Sequence, residues 1–246
     1  MIWRFIELKE LDPLMAIALE EVGLEYVQRT NIPIIRFWRW DKKAVSIGRF
    51  QILQDEVNID KCNAEKILML RRLSGGGAVF NSPGEIVYSV IAPYTVIPKD
   101  IGISYTHIFS WIIKGLKDIG INSYIESQSN INVNGKKISG NCKLNKIDVS
   151  MQHGTILYEV DESDIFSYLT VHTTGASGGT KSIYRPITCI KNHKDISYFD
   201  AYTKIKNAFL NDKKFEVSNW TSDEMKMAEE LIEKKYKKNE WTFTQG

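Results

Sequence analysis

Of 246 residues only three are cysteine and six are proline, and 32 Lys+Arg against 30 Asp+Glu leave a formal net charge of +2. Cys62, Cys142 and Cys189 are odd in number and show no CxxC spacing, which argues against a disulfide framework or a cysteine zinc site and fits reduced thiols. With no strong excess of one charge, the chain has no overall field to draw in nucleic acid or anionic lipid, so an anion site has to be local. The longest apolar runs, such as 67–70 and 87–91, fall far short of the ~20 residues that cross a bilayer. The opening MIWRFIE alternates charge with bulky apolar groups and lacks the pattern of a secretory signal, so a cytoplasmic location is expected. Neither the phosphate loop GxxxxGK[ST], the dinucleotide fingerprint GxGxxG leading into a helix, HExxH nor a nucleophile elbow occurs.

What is present is a composition for folding: 43% apolar residues, 6 Trp, 11 Tyr and 10 Phe. Asp12-Pro13 reads as an N-cap followed by proline in the first turn, opening a helix that helical spacing carries to about Arg29. Residues 32–40 and 43–48 are rich in branched and aromatic side chains and predict two strands of a hairpin around Asp41-Lys42. Further strands are predicted over 67–72, 85–93 and 149–160. In the 85–93 strand imperfect alternation implies that both faces are partly covered. Asn134-Gly135 is the strongest turn signal and joins 131–133 to 137–139 as a tight hairpin. Helices are predicted over 103–119, 162–169, 202–210 and 222–238. Strands mostly neighbour strands, so the expected class is α+β, with a largely antiparallel, mixed central sheet flanked by helices. The glycine-rich stretch 173–180 (TTGASGGT) reads as a loop that something must order, a candidate lid.

Three segments carry chemistry. RRLSGGGAVF (71–80) places three glycines behind two arginines, which suits backbone N–H groups and guanidinium forks aimed at a phosphate or carboxylate; a flexible loop with exposed arginines is the plain alternative. In NGKKISGN (134–141) alternation puts Lys137 and Ser139 on one face and Lys136 and Ile138 on the other, so that one ammonium can face inward and meet charge growing on a phosphate or acyl oxygen. Two exposed hairpin lysines are the alternative. In QHGTIL (152–157) a histidine beside glycine marks a close approach where a flat ring could pack, or a satisfied core histidine.

In this order, RRLSGGGAVFNSPGEIVYSV, NINVNGKKISGN and MQHGTILY resemble the lipoate-protein ligase A family, within the group that includes biotin ligases and octanoyltransferases. MAIALEE, GTKSIYRPIT and KKYKKNEWTF extend the likeness over nearly the whole chain. The resemblance implies a biotin/lipoate ligase-like catalytic domain over residues 1–246, without the C-terminal accessory domain of longer ligases. It implies activation of lipoate with ATP to lipoyl-AMP, and transfer of the lipoyl group to a lysine of a carrier domain. The implied carriers are the lipoyl domain of a 2-oxoacid dehydrogenase E2 or a glycine cleavage H-type protein, with a small separate accessory subunit as a further partner and no nucleic acid or membrane. Carried over by position, Lys137 is the catalytic lysine. Arg72, Ser74, Gly75, Gly76, Gly77, Ala78, Val79, Phe80, Asn130, Gly154 and Thr155 fall at the substrate and ATP site. Val22, Trp38, Gly48 and His153 fall at the lipoyl pocket. Mg2+ is an expected cofactor, with Asn130 its one candidate ligand, because Asn130 stands where the family has Asp. The chain also carries Asn81-Ser82 in place of His-Asp and Cys142 in place of Ala, the latter expected to pack as a small buried thiol. Two other readings stay open: a lipoyl or octanoyl transferase working through a cysteine thioester, and a non-catalytic binder of lipoylated carrier or adenylate. The nucleophile positions of the octanoyltransferases hold no cysteine here, Cys142 and Cys189 lying near them but out of register.

Overall fold

The structure, a computed structural model, describes residues 1–170, 172, 182 and 184–243. The predicted glycine-rich loop at 173–180 lies outside the described residues. In chain order the first half comprises β1 (Ile2–Leu11), α1 (Pro13–Thr30), β2 (Ile34–Trp40), β3 (Ala44–Ile47), α2 (Leu53–Glu56), α3 (Ile59–Ala64), β4 (Leu68–Arg71), β5 (Val79–Asn81), β6 (Glu85–Pro93) and α4 (Ile101–Ile119). The second half comprises β7 (Tyr124–Ser127), β8 (Asn130–Val133), β9 (Lys136–Asn145), β10 (Val149–Leu157), α5 (Glu162–Tyr168), α6 (Tyr198–Leu210), β11 (Lys214–Ser218), α7 (Ser222–Leu231) and α8 (Asn239–Phe243).

An eight-stranded sheet runs β11-β1-β2-β6-β10-β9-β8-β7, and a three-stranded sheet runs β4-β3-β5. Only the pairs that β1 makes with β11 and β2 are parallel in the large sheet, so the class is α+β as the strand-next-to-strand order implied. Every residue of β6 is buried, because helices cover both faces of the sheet there. Ile35, Tyr88, Val90 and Ile156 pack under Ile108 and Ile112 of α4 and Ile205 and Phe209 of α6. Their neighbours Ile34, Ile91 and Met151 pack on the opposite face, under Leu24 and Val27 of α1.

Local signals are obeyed. Asp12 Oδ1 accepts the N–H groups of Leu14 and Met15 at 2.9 and 3.3 Å, satisfying the free donors of the first turn, and α1 ends on Asn31 in the left-handed conformation. Asn134 and Gly135 both have positive φ (49° and 80°), as the tight hairpin requires. The predicted hairpin 32–40/43–48 is not formed: β2 pairs with β1 and β6, whereas β3 turns away to found the small sheet with β4 and β5. The helix predicted over 222–238 is α-helical only to Leu231 and continues as a π-helical stretch, Ile232–Tyr236, that seats Tyr236 against α1. The first and eleventh strands were not foreseen, since MIWRFIELKE mixes charge and bulk without a clean period.

Candidate active site

The small sheet lies against the middle of the large one, and between them opens a cavity of about 410 Å3, a size suited to a small organic ligand. Ile17 of α1, Trp38 and Trp40 of β2 and Val87 of β6 give it an apolar wall. Arg72, the glycines 75–77, Lys137, Cys142 and Arg185 give it a cationic, hydrogen-bonding one. A second recess of about 110 Å3, lined by Phe80, Leu157 and Phe166, shares Ala78, Val79, Lys137, Thr155, Ser182 and Arg185 with the first.

The glycine bend and the hairpin lysine, 60 residues apart in the chain, therefore meet. Gly76 adopts φ of 92°, open to glycine at little cost, and a Cβ there would come 2.6 Å from Cys142 Sγ on β9. Ile138 goes into the core and Lys137 to the cavity as predicted, but a bulge, with Asn132 opposite Lys137 and Ile131 opposite Ser139, breaks the alternation, so that Ser139 is buried with Asn141 and Tyr88 and does not share the face of Lys137. The backbone of Lys137 is clasped by residues 186–188, its N–H donating to Pro186 and its carbonyl accepting from Thr188, both at 2.9 Å. Its Nζ rests over Gly140, where any side chain would collide with it at 2.5 Å. Burial lowers the Lys137 pKa, with Arg185 and Arg72 adding to the effect and Cys142 and Glu85 opposing it. No hydrogen-bond acceptor for this ammonium is found among the described residues.

The two arginines differ. Arg71 does not face the cavity; it is buried and donates to the carbonyls of Gly48, Arg49, Gln51, Trp241 and Thr242, knitting α8 to the small sheet. Arg72 lines the cavity, but its forks hold the bend, donating to Ser46 O (2.8 Å), Gly75 O (3.1 Å) and Gly77 O (2.8 Å). It adds charge to the site and shapes the glycine backbone, so the expectation of two free anion forks is corrected. Ser74 lies beneath the bend, 2.6 Å from His153 Nε2.

His153 sits across the strand pair from Cys142, and its Nδ1 is 2.7 Å from Glu20 Oε1. Burial alone would lower its pKa, but Glu20 and then Cys142 outweigh that and raise it to about 9. Burial would raise the Cys142 pKa, yet the neighbouring His153 across the strand pair and the charges of Arg72 and Lys137 bring it down to about 7. Cys142 is half-buried in the cavity wall, unlike the buried packing thiol expected. Glu85, buried under Trp40 and facing Lys137, has its pKa pushed up to about 8 by desolvation.

Among the other predicted residues, Ala78, Val79, Asn130, Gly154, Thr155, Trp38 and His153 line the main cavity. Phe80 faces the smaller recess and stacks on Tyr168, ring centroids 4.8 Å apart. Val22 and Gly48 do not line either cavity: Val22 packs in the core between α1 and α7, and Gly48 lies behind the bend against Gly76 O. The close approach marked by Gly154 is to Asn141 and Gly140 of β9, not to open space for a ring. Sequence reasoning missed Ile17, Glu20, Trp40, Val87, Tyr105, Asn141 and Arg185. Glu20 had a signal, an acid on the apolar face of α1; Cys142 was noted in the sequence, but only the β9–β10 register sets it opposite His153 in the cavity wall.

A magnesium ion held by the protein calls for one or two free carboxylates beside the phosphates. The cavity's carboxylate is Glu20, which is engaged by His153, and Asn130 Nδ2 donates to Ser127 Oγ at 2.9 Å. No cluster of three acidic, histidine or cysteine side chains able to hold a metal occurs among the described residues. The described residues do not fit a resident ion. No helix among the described residues is long and apolar enough to cross a membrane.

The cavity is thus an apolar slot that ends on a lysine, an arginine and a glycine bend. The family model described as "Lipoyl protein ligase A/B catalytic domain" matches residues 12–210, and the chain belongs to that family. It is 28% identical to a probable lipoate-protein ligase A of Mycoplasma pneumoniae over 94% of this chain and 68% of that one. It is 31% identical to the octanoyltransferase LipM of Clostridioides difficile over 70% of this chain and 71% of that one. Solved structures agree on the fold: a lipoate-protein ligase A bound with ATP superposes with a TM-score of 0.87 at 23% identity, each chain covered entirely. A bipartite archaeal lipoate ligase of Thermoplasma acidophilum gives 0.87 at 22% identity, covering 100% of this chain and 98% of that one.

Proposed function

We propose that the chain is an ATP-dependent lipoate-protein ligase. The carboxylate of lipoate attacks the α-phosphorus of ATP, forming lipoyl-AMP and releasing pyrophosphate; the ε-amine of a carrier-domain lysine then attacks the acyl carbon and releases AMP. The observation that carries this reading is the meeting of the Lys137 ammonium with the glycine bend at the end of an apolar slot. The aliphatic chain and dithiolane lie along Ile17, Trp38, Trp40 and Val87, where removing apolar surface from water favours binding by about 25 cal/mol per Å2. The adenosine extends toward the smaller recess beside Phe80, Thr155 and Phe166. Lys137, short of acceptors among the described residues, supplies fixed positive charge where negative charge accumulates on the α-phosphate and acyl oxygen, and preorganised charge of this kind costs no rearrangement during reaction.

The acceptor in this reading is a lipoyl-carrier domain of an E2 or H-type protein. A separate accessory subunit and a cytoplasmic setting belong to the same proposal and rest on the resemblance and composition. Magnesium, given the donors described above, enters on the nucleotide's own phosphates. The test is lipoate-dependent release of pyrophosphate together with mass spectrometry of a lipoyl-domain acceptor, with and without ATP. Modification that requires ATP supports the ligase; equal modification from an octanoyl-carrier thioester without ATP refutes it. Release by the chain alone would remove the accessory subunit from the scheme.

A further inference from the structure

The cations that line the cavity are not equally free. Both Nη atoms of Arg72 are spent on the carbonyls of Ser46, Gly75 and Gly77. The Lys143 ammonium donates to the carbonyl of Pro98 at 2.9 Å. Arg185 differs. It lines the cavity and the smaller recess alike, a position that among the described cationic residues only Lys137 shares. Its partner is Glu126 on the edge strand β7, and Nη1 alone reaches that carboxylate, 3.2 and 3.3 Å from its two oxygens. Nε and Nη2 have no partner among the described residues. The arginine side chain is 43% exposed and the glutamate 33%, and an ion pair so open to water contributes little and is readily exchanged. The backbone on either side is fixed. Pro186 O accepts the Lys137 N–H, and Glu162 Oε1 accepts from the Tyr184 hydroxyl and the Ile187 N–H, both at 3.2 Å. A guanidinium with a fixed root and a loosely held head therefore stands at the junction of the two recesses. Lys137 registers it: burial is the main cause of its lowered pKa, and Arg185 is the larger of the two like charges that add to the effect.

We propose that Arg185 is the fork for the leaving polyphosphate, exchanging Glu126 for the β- and γ-phosphates of the nucleotide while Lys137 stays with the α-phosphate. The proposal rests on the adenylating reading above for its substrate. With an acyl chain along Trp38 and Val87 and a nucleoside in the recess beside Phe80, the phosphates meet at the junction, and the tail of the triphosphate runs out where Arg185 is exposed. A bond forms between the acyl carboxylate oxygen and the α-phosphorus, the bond from that phosphorus to its bridging oxygen breaks, and the electron pair leaves on pyrophosphate. No proton moves. Two parallel N–H donors of one guanidinium match two phosphate oxygens, so the fork meets negative charge as it builds on the leaving group. Glu126 is the resting counter-ion and competes with the phosphates for the same donors. An acyl group arriving as a thioester brings no polyphosphate and gives the fork nothing to hold, so Arg185 separates the two classes of acyl donor.

The experiment compares the wild-type chain with Arg185→Ala, Arg185→Lys and Glu126→Gln in three measurements: pyrophosphate release with lipoate and ATP, single-turnover transfer from synthetic lipoyl-AMP to a lipoyl domain, and calorimetric binding of inorganic tripolyphosphate. Both Arg185 variants are expected to melt like the wild type, because the side chain is exposed. Arg185→Ala is expected to lower kcat/KM for ATP about 100-fold and to weaken tripolyphosphate binding at least ~10-fold. Its transfer from lipoyl-AMP is expected to stay within a few fold of wild type, because no pyrophosphate leaves in that half. A merely structural loss, acting through the clasp on Lys137, would slow both halves together. Arg185→Lys keeps the charge without the fork and is expected to recover only part of the rate. Glu126→Gln is expected to bind tripolyphosphate a few fold more tightly. The proposal is overturned if tripolyphosphate does not bind the wild type or binds Arg185→Ala equally well, if release and transfer fall together, or if Glu126→Gln binds more weakly. Tripolyphosphate binding needs no chemistry, so a wild type that binds it through Arg185 yet releases no pyrophosphate would overturn the ligase reading and leave the fork standing.

Discussion

Replacing Gly48 by alanine tests whether the glycine bend is held as tightly as the packing implies. A Cβ at Gly48 would lie 2.1 Å from Gly76 O and 3.0 Å from the carbonyl carbons of Gly75 and Gly76, all backbone atoms that no rotamer change can move. Ordinary contact needs ~3.5 Å, so the bend must retreat by roughly 1 Å. It is not free to do so. Arg72 binds the carbonyls of Gly75 and Gly77, Ser74 O accepts the Arg49 N–H at 2.8 Å, and Cys142 stands on the far side. Overpacking of this kind costs about 1–3 kcal/mol, and displacing a substrate-positioning element by ~1 Å costs about 100-fold in rate. Thermal unfolding followed by circular dichroism reads the first quantity, and single-turnover transfer from synthetic lipoyl-AMP to a lipoyl domain reads the second. A variant that melts like the wild type would show that the bend gives freely. A variant that melts lower yet transfers at the wild-type rate would sever the bend from the chemistry.

Lys137→Ala should lower the rate of adenylate formation by about 100- to 1,000-fold while leaving lipoate affinity within a few fold; isothermal calorimetry beside pyrophosphate release checks the split, and an unchanged rate would remove Lys137 from the reaction. Arg4→Met should destabilise the fold by about 3–5 kcal/mol, because it strands Glu224, which Arg4 grips at 2.5 and 2.8 Å away from water. Burial opposes but Arg4 and the Thr221 cap lower the Glu224 pKa, so that contribution is present above the unfolded carboxyl value and fades as pH falls through the folded one; denaturant titrations at neutral and acid pH should show it. Glu85 has the opposite sign: its pKa rises from 4.5 to about 8 on folding, so its contribution is full below the lower value and is lost as pH climbs through the upper one. Glu85→Gln should therefore gain thermal stability over the wild type at pH above 8 and lose that advantage near pH 5, and parallel melting-temperature profiles would refute the assignment.

Much of this was legible in the order of residues, because the signals involved are local. Asp12-Pro13 starts a helix by satisfying N–H groups two and three residues away. Asn134-Gly135 reverses the chain through its own positive φ values, and alternation between neighbours already sends Ile138 inward and Lys137 to the other side, whereas the bulge that takes Ser139 off the Lys137 face had no local signal. The broken alternation of 85–93 announced a strand covered on both faces.

What depends on partners far along the chain was not legible. Residues 32–40 and 43–48 have the composition of a hairpin, yet β2 pairs with β1 and β6 while β3 pairs with β4 and β5, partners that lie outside the two segments themselves. Two adjacent arginines read alike until alternation on β4 sends Arg71 to the carbonyls around α8 and the following turn sends Arg72 to the bend. Cys142 became a member of the site only through the β9–β10 register that sets it opposite His153 and the sheet packing that lays Gly76 on its sulfur. The sequence by itself determined which turns, caps and faces exist, since those energies act within a few residues; the tertiary structure alone decided which charged groups share one desolvated cavity, since burial and Coulomb interactions depend on distances that the chain sets only when it is folded.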